Sequence, residues 1–169
     1  MKILLSFCAL VFVLNGFGQA SEQAAAISRL QFLEGVWKGK GWIQAGEKKQ
    51  YFNETETASI KLGGTLLQID VFGTSVDDDS LIINNGLAIV RYNVNANRFE
   101  MQFFQSDGSS AEAILTLKNK YTVQIDLHRG SSFTRFVIEA RDKRWFEKAF
   151  TSSDGKNWRQ FFEMNLKKI

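Results

Sequence analysis

Tyr51-Phe52-Asn53-Glu54-Thr55-Glu56-Thr57-Ala58-Ser59-Ile60-Lys61-Leu62 is the stretch on which the fold turns. Its odd positions from Asn53 to Lys61 are uniformly polar, whereas the even positions read Phe, Glu, Glu, Ala, Ile, Leu. Side chains of a strand point alternately to its two faces, so this beat of two marks a half-buried strand. The register sends Asn53, Thr55, Thr57, Ser59 and Lys61 to water. It sends Glu54 and Glu56 toward the interior, about 6.5–7 Å apart at the strand rise. Buried carboxylates are costly unless paired or hydrogen-bonded. Glu54 and Glu56 therefore meet a cation, with Arg91, Arg135 and Arg144 as candidates, or they sit at a wet barrel mouth.

The same beat runs through the rest of the chain. Trp37, Gly39, Gly41 and Ile43 share one face against Lys38 and Lys40. Phe99, Met101 and Phe103 oppose Glu100 and Gln102, and Tyr121, Val123, Ile125 and Leu127 oppose Thr122, Gln124, Asp126 and His128. In the last segment Trp158, Gln160, Phe162, Met164 and Leu166 oppose Arg159, Glu163 and Lys167. Clusters of Gly, Asn, Asp and Ser separate these segments as tight turns would. The spacing predicts strands over 36–43, 48–61, 65–73, 81–92, 97–105, 111–118, 120–128, 132–141, 143–151 and 157–167. Segments 81–92, 132–141 and 143–151 mix apolar and charged residues on both faces and leave their inward side undecided. A short helix is expected from Ser21, as cap, to Glu34-Gly35. About ten hairpin-linked strands point to an all-β, single antiparallel up-and-down β-barrel, closed or nearly so, because closure removes exposed edges. The N-terminal helix plugs one end. A β-sandwich is the alternative architecture.

Composition narrows the function classes. The chain has 169 residues, 44% hydrophobic and 23% charged, with 15 Phe, one Cys, one His and no Pro. That is the profile of one globular domain with a sizeable core. A net charge of +3 with scattered lysines lacks the basic stripe of a nucleic-acid binder. Met1-Lys2 followed by the apolar Ile3–Phe17 and small residues has the layout of a secretory signal peptide cleaved near Gly18–Ala20. The run is too short for a transmembrane helix. The expected division is therefore 1–20 signal peptide and 21–169 barrel domain, exported to the periplasm or secreted. Removal of Cys8 with the signal leaves no thiol for disulfides, nucleophilic catalysis or metal binding.

Gly35-Val36-Trp37, at the start of the first strand and after a short helix, resembles the Gly-x-Trp signature of the lipocalins and the wider calycin superfamily. The run Phe32–Gly41, then Gly63-Gly64-Thr65-Leu66, and the closing Ser153-Asp154-Gly155-Lys156-Asn157-Trp158 with Glu163-Met164, extend the likeness. Together they resemble an exported bacterial lipocalin-like family of unknown function. The resemblance implies a barrel with Trp37 at its floor, and says little of chemistry. The chain departs from fatty-acid-binding proteins, lacking their closing Arg-x-Tyr pair and their two helices after the first strand. Nitrobindins share a glycine-rich first strand but hold haem through a histidine.

Among the candidate site residues, Trp37 caps the floor or stacks on a ligand. Glu54 and Glu56 pair structurally, orient a ligand, or act as acid and base. Two carboxyls on one strand point the same way and do not flank a substrate as those of a glycosidase do. His128, the one imidazole, falls on the polar face, so haem is an outside possibility and no other cofactor is expected. Asp77-Asp78-Asp79 reads as a solvated turn, since consecutive acids lack the spacing of a calcium loop, and no metal site is expected. The function expected is binding of a small, largely apolar or amphipathic molecule inside the barrel. Trp37, Phe52, Glu54, Glu56, Arg91, Tyr92, Met101, Phe103 and Phe162 are its contacts, within a wall that also includes Leu67, Ile69, Ile125 and Met164. The alternatives are a barrel isomerase or hydrolase working through Glu54 or Glu56, and a filled barrel serving as an interaction module. Oligomeric state is not encoded in any of these features.

Overall fold

A computed structural model of the chain describes residues 22–169, so the signal-peptide reading of 1–20 and the capping role of Ser21 lie outside the described residues. Residues 22–28 form a helix, α1, followed by a single 3-10 turn at Gln31–Leu33. Ten strands follow: β1 (Gly35–Ala45), β2 (Lys48–Lys61), β3 (Leu66–Ser75), β4 (Ile82–Asn93) and β5 (Arg98–Gln105) come first. Then come β6 (Ser110–Asn119), β7 (Thr122–Arg129), β8 (Ser132–Arg141), β9 (Arg144–Ser152) and β10 (Arg159–Lys168). Each pairs antiparallel with its sequence neighbours, and β1 pairs with β10 to close the barrel. No helix among the described residues is long and apolar enough to cross a membrane.

Alternation places the core. Leu67, Val90, Val123 and Leu166 are buried completely, and Ile69, Ile125, Phe52 and Met164 nearly so. α1 and the 3-10 turn lie across one end, where Ile27, Leu30 and Leu33 are fully buried. Two polar contacts fix them: the Trp37 indole donates to the Leu33 carbonyl at 2.8 Å, and the Ile60 amide donates to Glu34 Oε1 at 3.1 Å. At the opposite end the hairpins β1–β2, β3–β4, β5–β6, β7–β8 and β9–β10 turn around, and Ile43, Met101, Phe103, Leu127, Phe136 and Phe162 are only half-buried there. The barrel thus has a packed floor and an aromatic mouth.

Several details differ from the sequence expectation, most strand ends among them by one or two residues. The helical stretch is shorter, because the chain tightens into the 3-10 turn before β1. Strand β9 starts at Arg144 rather than 143, since Asp142 and Lys143 both take positive φ (53° and 58°) as a two-residue hairpin turn. In β10 a bulge between Gln160 and Phe162 shifts the register, so Gln160 pairs with Phe150 rather than continuing the inward row. Gln160 donates instead to Glu163 on the outer wall, and Arg135 stacks over Trp158. Tyr121 also leaves the inner face. It sits in the turn before β7, edge-on to Phe32.

The closing seam needs a strand without bulk. A Cβ at Gly39 would lie 2.1 Å from the Asn165 carbonyl oxygen and 2.9 Å from Leu166 Cα on β10. Both are backbone atoms, which move only with the strand. Gly39→Ala is therefore expected to destabilise the fold by about 1–3 kcal/mol, the usual range for forcing atoms into a packed region. A lowered urea midpoint with an unchanged slope is the measurement that checks it.

Candidate functional site

Both glutamates singled out in the sequence point into the barrel: Glu54 is 3% exposed and Glu56 5%. The register explains the space around Glu54. Its partners are Gly39 on β1 and Gly73 on β3, so no side chain flanks it on either side. A Cβ on Gly73 would sit 2.1 Å from Glu54 Oε2, which shows that the carboxyl occupies the volume a side chain would fill. One strand further on, Asn84 of β4 reaches past Gly73 and donates to Glu54 Oε1 at 3.2 Å. Glu56 lies between Trp37 and Val71 in register.

A third acid completes the group, and the sequence reading missed it. Glu147 of β9 is 7% exposed, and Trp145 Nε1 donates to its Oε2 at 3.0 Å. Trp145 in turn packs edge-on against Trp37, with centroids 5.7 Å apart. Three carboxyls thus stand above a floor of two indoles. β9 shows why Glu147 is hard to find: Trp145, Glu147 and Ala149 alternate with Phe146, Lys148 and Phe150, so each face offers one charge among apolar residues. The available signal is Trp145 and Ala149, whose burial fixes the parity.

Burial sets the protonation of the three. Desolvation raises Glu54 to about 8, offset by the Asn84 hydrogen bond and reinforced by repulsion from Glu147. Glu56 is raised well above the ordinary carboxyl range, first by desolvation and then by repulsion from Glu147 and Glu54. Desolvation raises Glu147 to about 7, with the Trp145 hydrogen bond working against it. At neutral pH the cluster therefore carries fewer charges than carboxyls, as mutually repelling acids in a dry site must. The Oε2 atoms of Glu54 and Glu56 are buried and have no hydrogen-bond partner.

The cations proposed as partners are elsewhere. Arg91, expected among the inward contacts, faces solvent on the outer wall and pairs with Glu100 at 2.6 Å, because Val90 and Tyr92 take the inward positions of β4. Arg135 pairs with Asp126 at 2.7 Å on the outside, and Arg144, at the start of β9, is exposed. Tyr92 is inward but at the floor end, where it meets Phe99 and donates to Asn97. Trp37, 2% exposed, is likewise a floor residue. Phe52 and Phe162 stack at 5.5 Å near the mouth, and Phe136 approaches Phe162 edge-on at 6.3 Å. Met101 and Phe103 stand half-buried on β5.

Elsewhere, His128 is exposed on the outer face against the Phe133 ring. Among the described residues, no group of three or more His, Cys, Asp or Glu is placed to hold a metal ion. Asp154 organises the β9–β10 loop by accepting from the Lys156 and Asn157 amides and the Ser152 hydroxyl. Those bonds hold its carboxyl far below the usual range and give the closing Ser153–Trp158 motif a structural role. Surface hollows accompany the barrel among the described residues. One of about 350 Å³ lies at the rim between Ser132, Thr151 and Arg159, and one of about 550 Å³ lies along the outer wall by Arg91, Glu100, Glu112 and His128.

The fold has solved counterparts. Rv2717c from M. tuberculosis matches 85% of this chain and 97% of its own at a TM-score of 0.63 and 11% identity. The S-type phycobiliprotein lyase CPES from Guillardia theta matches 88% and 96% at a TM-score of 0.57 and 8% identity. At such identities the likeness establishes a shared antiparallel barrel, consistent with the calycin-like resemblance in the sequence. No protein-family profile and no curated protein matches the sequence.

The acid cluster fixes the sign of the pH dependence. The folded protein retains protons that the unfolded chain releases near pH 4.5, so this contribution is full below that pH. It is lost as pH rises through 7 to 8, at about 1.4 kcal/mol per pH unit for each proton still held. The thermal midpoint is expected to fall between pH 5.5 and 8.5, and Glu56→Gln to flatten that fall. Calorimetric scans of both proteins across this range check it.

Proposed function

We propose that the protein binds a small, largely apolar molecule at the open end of its barrel, with the buried acids below supplying the few polar contacts. The observation that carries this is the pair of orphaned Oε2 atoms beneath a half-exposed aromatic collar. Native interiors leave few buried polar atoms unsatisfied, and each is a request for a partner. An apolar wall with a small number of convergent polar groups is the usual composition of a ligand site. Phe52, Phe103, Phe136, Phe162 and Met101 form that wall. The likeness to the lyase barrel supports the reading at the level of fold alone. We include export in the proposal, on the strength of Met1-Lys2 and the apolar run Ile3–Phe17. The intact mass of protein secreted or recovered from a periplasm would show cleavage near Gly18–Ala20.

A second reading, a filled barrel acting as an interaction module, draws on a specific observation. Hollows lie at the rim and on the outer wall, and the inward Trp37, Phe52, Trp145 and Met164 are each no more than 2% exposed. Titration with the neutral probe N-phenyl-1-naphthylamine separates the two. Saturable emission, and a bound mass in native mass spectrometry, are expected for the binding reading. Phe103→Glu at the mouth should weaken uptake at least about tenfold, equivalent to 1.4 kcal/mol. Phe104→Glu, one residue on but on the exposed outer wall, should leave it unchanged. No uptake by the unaltered protein would favour the module.

A further inference from the structure

We infer that the molecule taken up is an amphipathic organic cation, a primary or secondary amine whose N–H groups meet the free Oε2 atoms of Glu54 and Glu56 and whose apolar tail lies among the mouth phenylalanines. The inference rests on the binding reading above and names the chemistry of its ligand. Three buried carboxyls share one interior, and two of them present an oxygen without any partner. Their in-register neighbours, Trp37 and Gly39 on β1, Val71 and Gly73 on β3, Ile138 on β8 and Met164 on β10, carry no titratable group. Asn84 of β4 satisfies one oxygen of Glu54 and no more. The Lys168 ammonium lies over the Trp37 ring at 5.1 Å, at the floor. Among the described residues the ion pairs engage Glu100, Asp126, Glu139 and Glu163, and none of the three buried acids.

The two Oε2 atoms are therefore buried acceptors without a protein donor, and a charge-assisted N–H is the donor that complements a carboxylate best. A neutral ligand satisfies the same oxygens only by hydrogen bonding to acids that keep their protons. An anion is opposed by any of the three that is ionised and brings no donor to the free Oε2 atoms. On the Gly39–Glu54–Gly73 row the only side chain is the carboxyl itself, so no other side chain on the row competes for its free Oε2. Above it, aromatic faces offer both apolar contact and cation–π attraction to an ammonium in passage. Because the free protein holds protons on the cluster, pairing one carboxylate with an ammonium releases one proton. Affinity then rises with pH until the cluster has titrated.

The test uses three molecules with one tail: 4-phenylbutylamine, 4-phenylbutanol and 4-phenylbutyrate, titrated into the purified protein by calorimetry and tryptophan fluorescence. The amine is expected to bind at least about tenfold more tightly than the alcohol at pH 7.5, and the carboxylate most weakly. Its affinity should rise between pH 6 and pH 8 by as much as about tenfold per unit, the slope for one linked proton. Calorimetry in two buffers of different ionisation enthalpy should show that proton leaving, a readout that needs no variant. Glu54→Gln with Glu56→Gln, which keeps shape and removes charge, should bring amine and alcohol level. Equal binding of amine and alcohol by the unaltered protein would overturn the cation and leave apolar binding standing. Failure of all three, together with N-phenyl-1-naphthylamine, would remove the binding reading itself.

Discussion

The desolvation of three carboxyl groups inside a closed sheet is the constraint to which the rest of the structure answers. A lone buried carboxyl is pushed toward its neutral form, and each additional acid nearby pushes further. Glu54, Glu56 and Glu147 stand together in this way, and the barrel responds with what it has: an indole N–H for Glu147, an amide for Glu54, and protons retained to near-neutral pH. A well-packed apolar core would be simpler and at least as stable. The presence of the acids at mid-depth, between a sealed floor and an aromatic mouth, is what gives the interior a polar address.

The two ends of the barrel divide the labour. The floor is over-determined: α1, the 3-10 turn, Trp37 and Trp145 interlock, and the Trp37 indole is tied to the Leu33 carbonyl. The mouth is not, since Phe103, Phe136 and Phe162 retain partial exposure and turn-bearing loops surround them. Local stability in proteins is lowest where buried contacts are fewest. A molecule entering by the mouth would thus meet the adaptable end first and the acids next. The rigid indole floor would limit its depth.

Charge on the outer wall follows a separate logic. Arg91, Arg98 and Asn93 converge on Glu100, and Arg135 pairs with Asp126, all on faces open to water. Such pairs contribute little stability each. They keep arginines on the side of the sheet opposite the acid cluster. That segregation leaves the interior acids without a cation from the strands around them.

Much of this was legible in the residues. Period-two alternation gave the strand class and number, and each boundary to within two residues, because a pleated strand must expose one face and bury the other. The strict polar face from Asn53 to Lys61 was enough to orient Glu54 and Glu56. Where the two faces of a strand are compositionally alike, as in β9, alternation alone has no preferred phase. Glu147 therefore emerged only with the partners that bury Trp145 and Ala149. The bulge in β10, which turns Gln160 outward, and the outward placement of Arg91 are likewise consequences of register. Sequence determined that a barrel forms and that two acids look inward. Tertiary closure decided that a third joins them, that no arginine does, and that Gly39 and Gly73 face the carboxyl of Glu54, because these depend on pairings between residues far apart in the chain.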